Sequence, residues 1–173
     1  VPDGMQSGAT SIRPRSYWEY DFKRNRKKLL VRGKISLRRV QFDSKGNATH
    51  AAGFDVRTDE ITYQWRPKGT KDWRDMYRQH EDSFETFTPI APDPEAENHF
   101  LVYAHNGFDK AGLWSFDAEN KTFSDVLYRR NDVDSGGPVF HSNRLSNPDD
   151  IVGVRWCKDK CHREFFDRAE EAL

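Results

Sequence analysis

From Tyr17 onward, apolar and aromatic residues come in short runs, each broken within a few positions by Asp, Asn, Gly or Pro. Runs rich in β-branched and aromatic residues, bounded by turn-forming residues, are the signature of β-strands. Helical periodicity is nearly absent. The pattern predicts strands at Ser16–Phe22, Lys28–Arg32, Arg38–Phe42, Ala48–Asp55, Ile61–Arg66, Trp73–Arg78, Glu85–Pro89, Phe100–His105, Ala111–Phe116, Asp125–Arg129, Gly137–His141, Ile151–Cys157 and Cys161–Phe166. Nearly all the connections are short, so the expected class is all-β and antiparallel. Asp167 to Leu173 have the character of a helix just beginning, and both ends read as cut from a longer chain.

Several turns share one chemical pattern: an aromatic, an Asp, a few polar residues, then an apolar strand. It occurs at Tyr20-Asp21 before Leu29-Leu30, at Phe54-Asp55 before Ile61 and at Phe116-Asp117 before Phe123. An Asp at such a place accepts hydrogen bonds from backbone amides of the turn, which accounts for it without catalysis. The spacings, 34 and 62 residues, average 48. That mean lies near the roughly 40–50-residue repeat of propeller blades. Each blade is a four-stranded antiparallel sheet, and such an Asp is expected between two outer strands. The strand count then corresponds to about three blades, an open set that cannot close into a ring. Residues 16–37 would be outer strands of a first blade, 38–166 further blades, and 167–173 the start of a short C-terminal helix.

Composition constrains this picture. Apolar residues make up 35% and charged residues 32%, so the core must be thin relative to the surface. Twelve Phe, six Tyr and five Trp compensate, because each ring buries a large area. Trp65, Trp73, Trp114 and Trp156, with Trp18 beside them, are expected to pack between blades. The other use of such rings is a ligand platform, which would make the chain a stand-alone β-rich binding module.

Basic and acidic residues balance at 28 each, which argues against a global field drawing in nucleic acid or anionic membrane. Clusters such as Lys23, Arg26 and Lys28 read as solvated turn charges. No apolar run approaches the roughly 18–20 residues of a spanning helix, and no secretory leader stands at Val1, so a soluble piece of unassigned compartment is expected.

Cys157 and Cys161, spaced C-x3-C with His162 adjacent, fall short of four zinc ligands, and no metal or other cofactor is expected. The stretch reads as a hairpin with a three-residue turn that sets the sulfurs across from each other; a disulfide and two free thiols both fit. The six His are dispersed and read as surface or turn residues. On a shared strand His99 and His105 would lie about 20 Å apart, too far for one metal.

From about Val40 to Asp167 the order of features resembles the propeller of the prolyl oligopeptidase family of serine peptidases, the dipeptidyl-peptidase and acylaminoacyl-peptidase group. The matching pieces are Gly53-Phe54-Asp55, Ile61-Thr62-Tyr63, Asp72-Trp73, Tyr77-Arg78, Phe87-Thr88-Pro89-Ile90 and Leu101-Val102-Tyr103-Ala104. They continue with Leu113 to Asp117, Asn131 to Asp134, Ile151 to Val154 and Phe165-Phe166-Asp167. The resemblance implies part of an N-terminal propeller that roofs a C-terminal α/β-hydrolase domain of the same parent and restricts which peptides enter. That family's nucleophile sits in a G-x-S-x-G elbow. Neither this motif nor a His-Gly-Gly oxyanion motif occurs here, so its catalytic residues have no positions to map onto. Exposed blade edges would allow self-association.

One stretch has a catalytic look. Asp134-Ser135-Gly136-Gly137-Pro138 resembles the nucleophile loop of chymotrypsin-like peptidases, and His50, Asp93 and Ser135 would supply a triad in the matching chain order. Against it, Val133 stands where that family has Gly, His50 lies in Thr49-His50-Ala51-Ala52, Asp93 is held between Pro92 and Pro94, and the chain begins Val1-Pro2. Asn131 to Pro138 also reads as a connecting turn, with glycines for positive φ.

Overall fold

The structure, a computed structural model, describes residues 14–143 and 150–166. The helix expected from Asp167 lies outside the described residues. Those described form an all-β protein, with one 3-10 turn at Ile35–Leu37. The strands are β1 (Tyr17–Asp21), β2 (Arg26–Val31), β3 (Arg39–Phe42), β4 (Ala48–Asp55), β5 (Glu60–Trp65), β6 (Arg74–His80) and β7 (Phe87–Pro92). They continue with β8 (His99–Ala104), β9 (Gly112–Asp117), β10 (Thr122–Tyr128), β11 (Ser135–Phe140), β12 (Ile151–Cys157) and β13 (Cys161–Phe165).

These strands make four antiparallel sheets, each a simple meander in chain order: β1-β2, β3-β4-β5-β6, β7-β8-β9-β10 and β11-β12-β13. The last three sheets begin at residues 39, 87 and 135, a step of 48 each time. The aromatic-Asp turns close β1–β2, β4–β5 and β9–β10, which are not equivalent hairpins. β4 and β5 are both central strands, so the expectation that such turns join outer strands fails. This non-equivalence also explains why the spacings of 34 and 62 are uneven although the sheets are evenly spaced.

The chemistry expected of those turns is present. Asp21 Oδ1 accepts the amides of Lys23 and Arg24 at 3.0 and 3.1 Å, Asp55 Oδ1 that of Arg57 at 3.0 Å, and Asp117 Oδ1 those of Glu119 and Asn120 at 2.9 Å each. Each turn ends on a left-handed residue, Asn25, Asp59 or Lys121. The Asn120 amide and side chain, more than any other group, hold the Asp117 carboxyl below its usual range. Asp117→Ala is expected to cost about 1–2 kcal/mol in urea denaturation, the size of two lost turn hydrogen bonds. Asp117→Asn, which keeps an acceptor, should recover most of that.

Three apolar layers join the sheets in series. Val31, Leu37, Val40, Ala48 and Ala51 bind the β1-β2 hairpin and the 3-10 turn to β3 and β4. Tyr63, Trp65 and Met76 meet Phe87, Phe100, Val102, Trp114 and Phe116 between the second and third sheets. Leu101, Leu113 and Val154, with Ile90, Tyr128 and Ile151, join the third sheet to the fourth. The third sheet is thus covered on both faces, which is why β8 reads as the unbroken run Phe100-Leu101-Val102 instead of alternating. Gly53 is needed where β4 crosses the 3-10 turn, because a Cβ there would lie 2.5 Å from the Ser36 backbone.

In the third sheet, two strands depart from the sequence expectation by more than one residue. β7 spans Phe87–Pro92, not Glu85–Pro89, and holds two prolines; it is an edge strand with a register shift between Pro89 and Ala91, so missing amides are tolerated. β10 begins at Thr122, three residues before the expected Asp125. Among the tryptophans, Trp65 and Trp114 are buried between sheets, whereas Trp73 precedes β6 and is half-buried. Trp18 departs most: it is 51% exposed, with Lys27 Nζ 5.0 Å from its ring centre.

Candidate functional site

The segment Asp134 to Pro138 lies where the third sheet meets the fourth. Asp134 Oδ1 accepts the Ala111 amide at 2.8 Å, and the Ser135 amide donates to the Ala111 carbonyl at 3.0 Å. A side chain and a main-chain amide thus pair with both backbone groups of one residue, as a neighbouring strand would. Asp134 Oδ1 also stands 3.9 Å from His105 Nε2. The Thr86 amide donates to His105 Nδ1 at 2.9 Å, which leaves the proton of a neutral ring on Nε2, the nitrogen turned toward Asp134.

The connection from β10 ends at Asp134, and strand begins at Ser135 instead of the expected Gly137. The turn read over Asn131 to Pro138 is therefore strand in its second half. Among the described residues β11 pairs only with β12, so Pro138 sits on an edge where its missing amide is not needed. Gly137 has φ +140°, and the register shifts between Ser135 and Gly137. The backbone freedom the sequence assigned to a turn is spent on a bulge.

The three residues of the triad reading have separate surroundings. His50, on β4, is buried, which departs from the surface or turn setting expected of the histidines. It pairs in register with Trp65, meets Phe100 edge-on at 5.6 Å, and has Thr49 Oγ1 at 3.0 Å from Nδ1. Burial pushes its pKa down to about 4, opposed by a hydrogen bond with the Pro89 backbone. Asp93, just past β7, takes the Ser115 hydroxyl on Oδ2 at 2.7 Å and the Glu95 amide on Oδ1 at 3.0 Å. Ser135 Oγ is buried and unpartnered among the described residues, as is the indole nitrogen of its register partner Trp156. No hydrogen bond among the described residues joins any two of the three.

Next to Ser135 lies a more polar neighbourhood. The Tyr103 hydroxyl is buried near the Gly137 backbone and the Arg155 charge without a hydrogen bond of ordinary geometry, and burial pushes the phenol up to about 12. Arg130 lies 4.1 Å above the Trp156 ring and pairs with Asp132 at 2.9 Å; Glu164 receives the Tyr128 hydroxyl at 2.7 Å. Cys157 and Cys161, facing each other across the β12-β13 hairpin, form a disulfide. Arg155 and Arg163, two residues outside the cysteines, are likewise opposed. Sequence reasoning missed His105, Tyr103 and this arginine pair. The pair had a legible signal: once the hairpin register is centred on C-x3-C, residues 155 and 163 must face each other. Among the described residues, no group of three or more His, Cys, Asp or Glu is placed to hold a metal ion. Compared with protein-family models, curated proteins and solved structures, the chain finds no match.

Proposed function

We propose that this chain is a non-catalytic, blade-forming portion of a β-propeller from a prolyl oligopeptidase-type serine peptidase. In this reading it gates or shapes peptide access to an α/β-hydrolase domain carried elsewhere in the parent. The observation that carries the reading is the constant 48-residue step between antiparallel meanders, two of them four-stranded, each packed on the next in chain order. Propeller blades are sheets of this kind, repeated at roughly 40–50 residues around an axis. The ordered resemblance from Val40 to Asp167 supplies the family. The open edges of the two- and three-stranded sheets are where further strands, or a second copy, would pair.

The experiment has two arms. Reading the parent gene beyond the Leu173 codon is expected to give a further domain-length stretch containing G-x-S-x-G. A fluorophosphonate probe, which labels activated serines, is expected to leave Ser135 unmodified. A stop codon directly after Leu173, or labelling that disappears in Ser135→Ala, would overturn the proposal.

A further inference from the structure

The chain carries no net charge, yet the β12-β13 hairpin concentrates cations: Arg155, Lys158, Lys160 and Arg163 stand against the single carboxylate of Asp159 between residues 155 and 163. Two basic groups at this hairpin have carboxylate partners. Arg130 has Asp132 and Glu164, and Lys158 Nζ lies 3.9 Å from Asp132. Arg155 and Arg163 are different. They are register partners on antiparallel strands, so their side chains leave the same face of the sheet, and neither has an ion pair or side-chain hydrogen bond among the described residues. Like charges directly opposed across two strands repel.

The floor beside the pair is cleared. Gly136 and Gly137 present no side chain to it; a Cβ on Gly137 would lie 3.4 Å from Arg155 Nη2, and one on Gly136 would lie 3.2 Å from the Arg155 carbonyl. The result is an open concavity of about 460 Å³ lined by Gly136, Arg155, Cys157, Cys161, His162 and Arg163. The disulfide closes the hairpin end, holding the strands that carry both guanidinium groups in one register. Two forked cations over a glycine floor match a carboxylate or phosphate, each fork able to donate two parallel hydrogen bonds.

We propose that Arg155 and Arg163, in the concavity they line with Gly136, form a binding site for a compact oxyanion, a carboxylate or phosphate group. The bound anion cancels the repulsion between the two arginines. The site is independent of the propeller reading: either can fail alone.

The experiment titrates inorganic phosphate alone and succinate alone into the chain at constant ionic strength, followed by amide NMR. Saturable shifts centred on Gly136, Gly137 and the β12-β13 hairpin are expected for at least one ion, and which ion binds identifies the tetrahedral or the planar ligand. Arg155→Gln and Arg163→Gln should each weaken binding on the order of tenfold or more, the loss expected for a charge-assisted fork. Lys45→Gln, at an exposed turn far along the chain, should leave it unchanged. Arg163→Gln should not lower the denaturation midpoint of the ligand-free chain, which separates lost binding from lost fold. Absence of saturable shifts with both ions, or binding that survives in both arginine variants, would refute the site.

Discussion

Replacing Phe87 with alanine is expected to destabilise the chain by about 3–5 kcal/mol, the range for emptying a large aromatic site in a packed core. Phe87 opens β7 and is 1% exposed. Its ring stacks on Tyr77 at 4.0 Å and meets Tyr63 at 5.5 Å, both from the second sheet. On its own sheet it meets Phe116 at 4.9 Å and Phe123 at 6.1 Å. The side chain is therefore the wedge around which two sheets close, and no single neighbouring strand can move in to fill the gap. Its amide is also held by Gln79 Oε1 at 2.9 Å, tying the start of β7 to β6. Since whole domains are stable by about 5–15 kcal/mol, a loss of this size would leave a large unfolded fraction at mild urea. Urea denaturation followed by circular dichroism measures it. Phe84→Ala, at a ring 99% exposed, is the reference and should lie within about 0.5 kcal/mol of the parent. A Phe87→Ala loss below about 1 kcal/mol would contradict the stacking of the two sheets.

The second large effect is a dependence of stability on pH through His50. Its ring is enclosed by Trp65 and Phe100, with a hydrogen bond to the Pro89 backbone, so the folded state holds it neutral down to about pH 4. In the unfolded chain it titrates near 6.5. Between those values the unfolded state binds the proton and the folded state does not, so stability rises with pH. The contribution is complete above about pH 6.5 and is lost as pH falls toward 4. By pH 4.5 the loss should be about 2–3 kcal/mol. His50→Gln retains a side-chain donor for the Pro89 backbone but has no proton to gain in this range. Urea midpoints for both proteins at pH 7 and pH 4.5 isolate His50, because the carboxylates contribute alike to each and cancel. An acid-induced loss identical in the variant would show that His50 does not titrate with folding.

Much of the local structure was legible in the sequence because its causes are local. The thirteen strands among the described residues answer the thirteen read from the pattern, and the Asp21, Asp55 and Asp117 turns carry the amide bonds their chemistry predicted. Both follow from residues a few positions apart: the alternation that makes a run fit a pleated sheet, and the short carboxylate that reaches its own turn. The hairpin at Cys157 and Cys161 was equally readable, whereas the choice between disulfide and free thiols was not.

What the tertiary structure decided involves partners far apart in the chain. Residues 100–102 of β8 read as an apolar run, but only the stacking shows that one face meets Tyr63, Trp65 and Met76 and the other meets Val154. The same stacking buries His50, while Trp18 remains open on a two-stranded sheet. It moves the start of β11 to Ser135, which pairs in register with Trp156, 21 positions later. The sequence by itself determined an all-β chain of short antiparallel strands, their approximate limits and the chemistry of their turns. Only the tertiary structure decided which strands share a sheet, which faces are covered and where charge is left uncompensated. Those outcomes depend on packing between segments tens of residues apart, which no local run of side chains encodes.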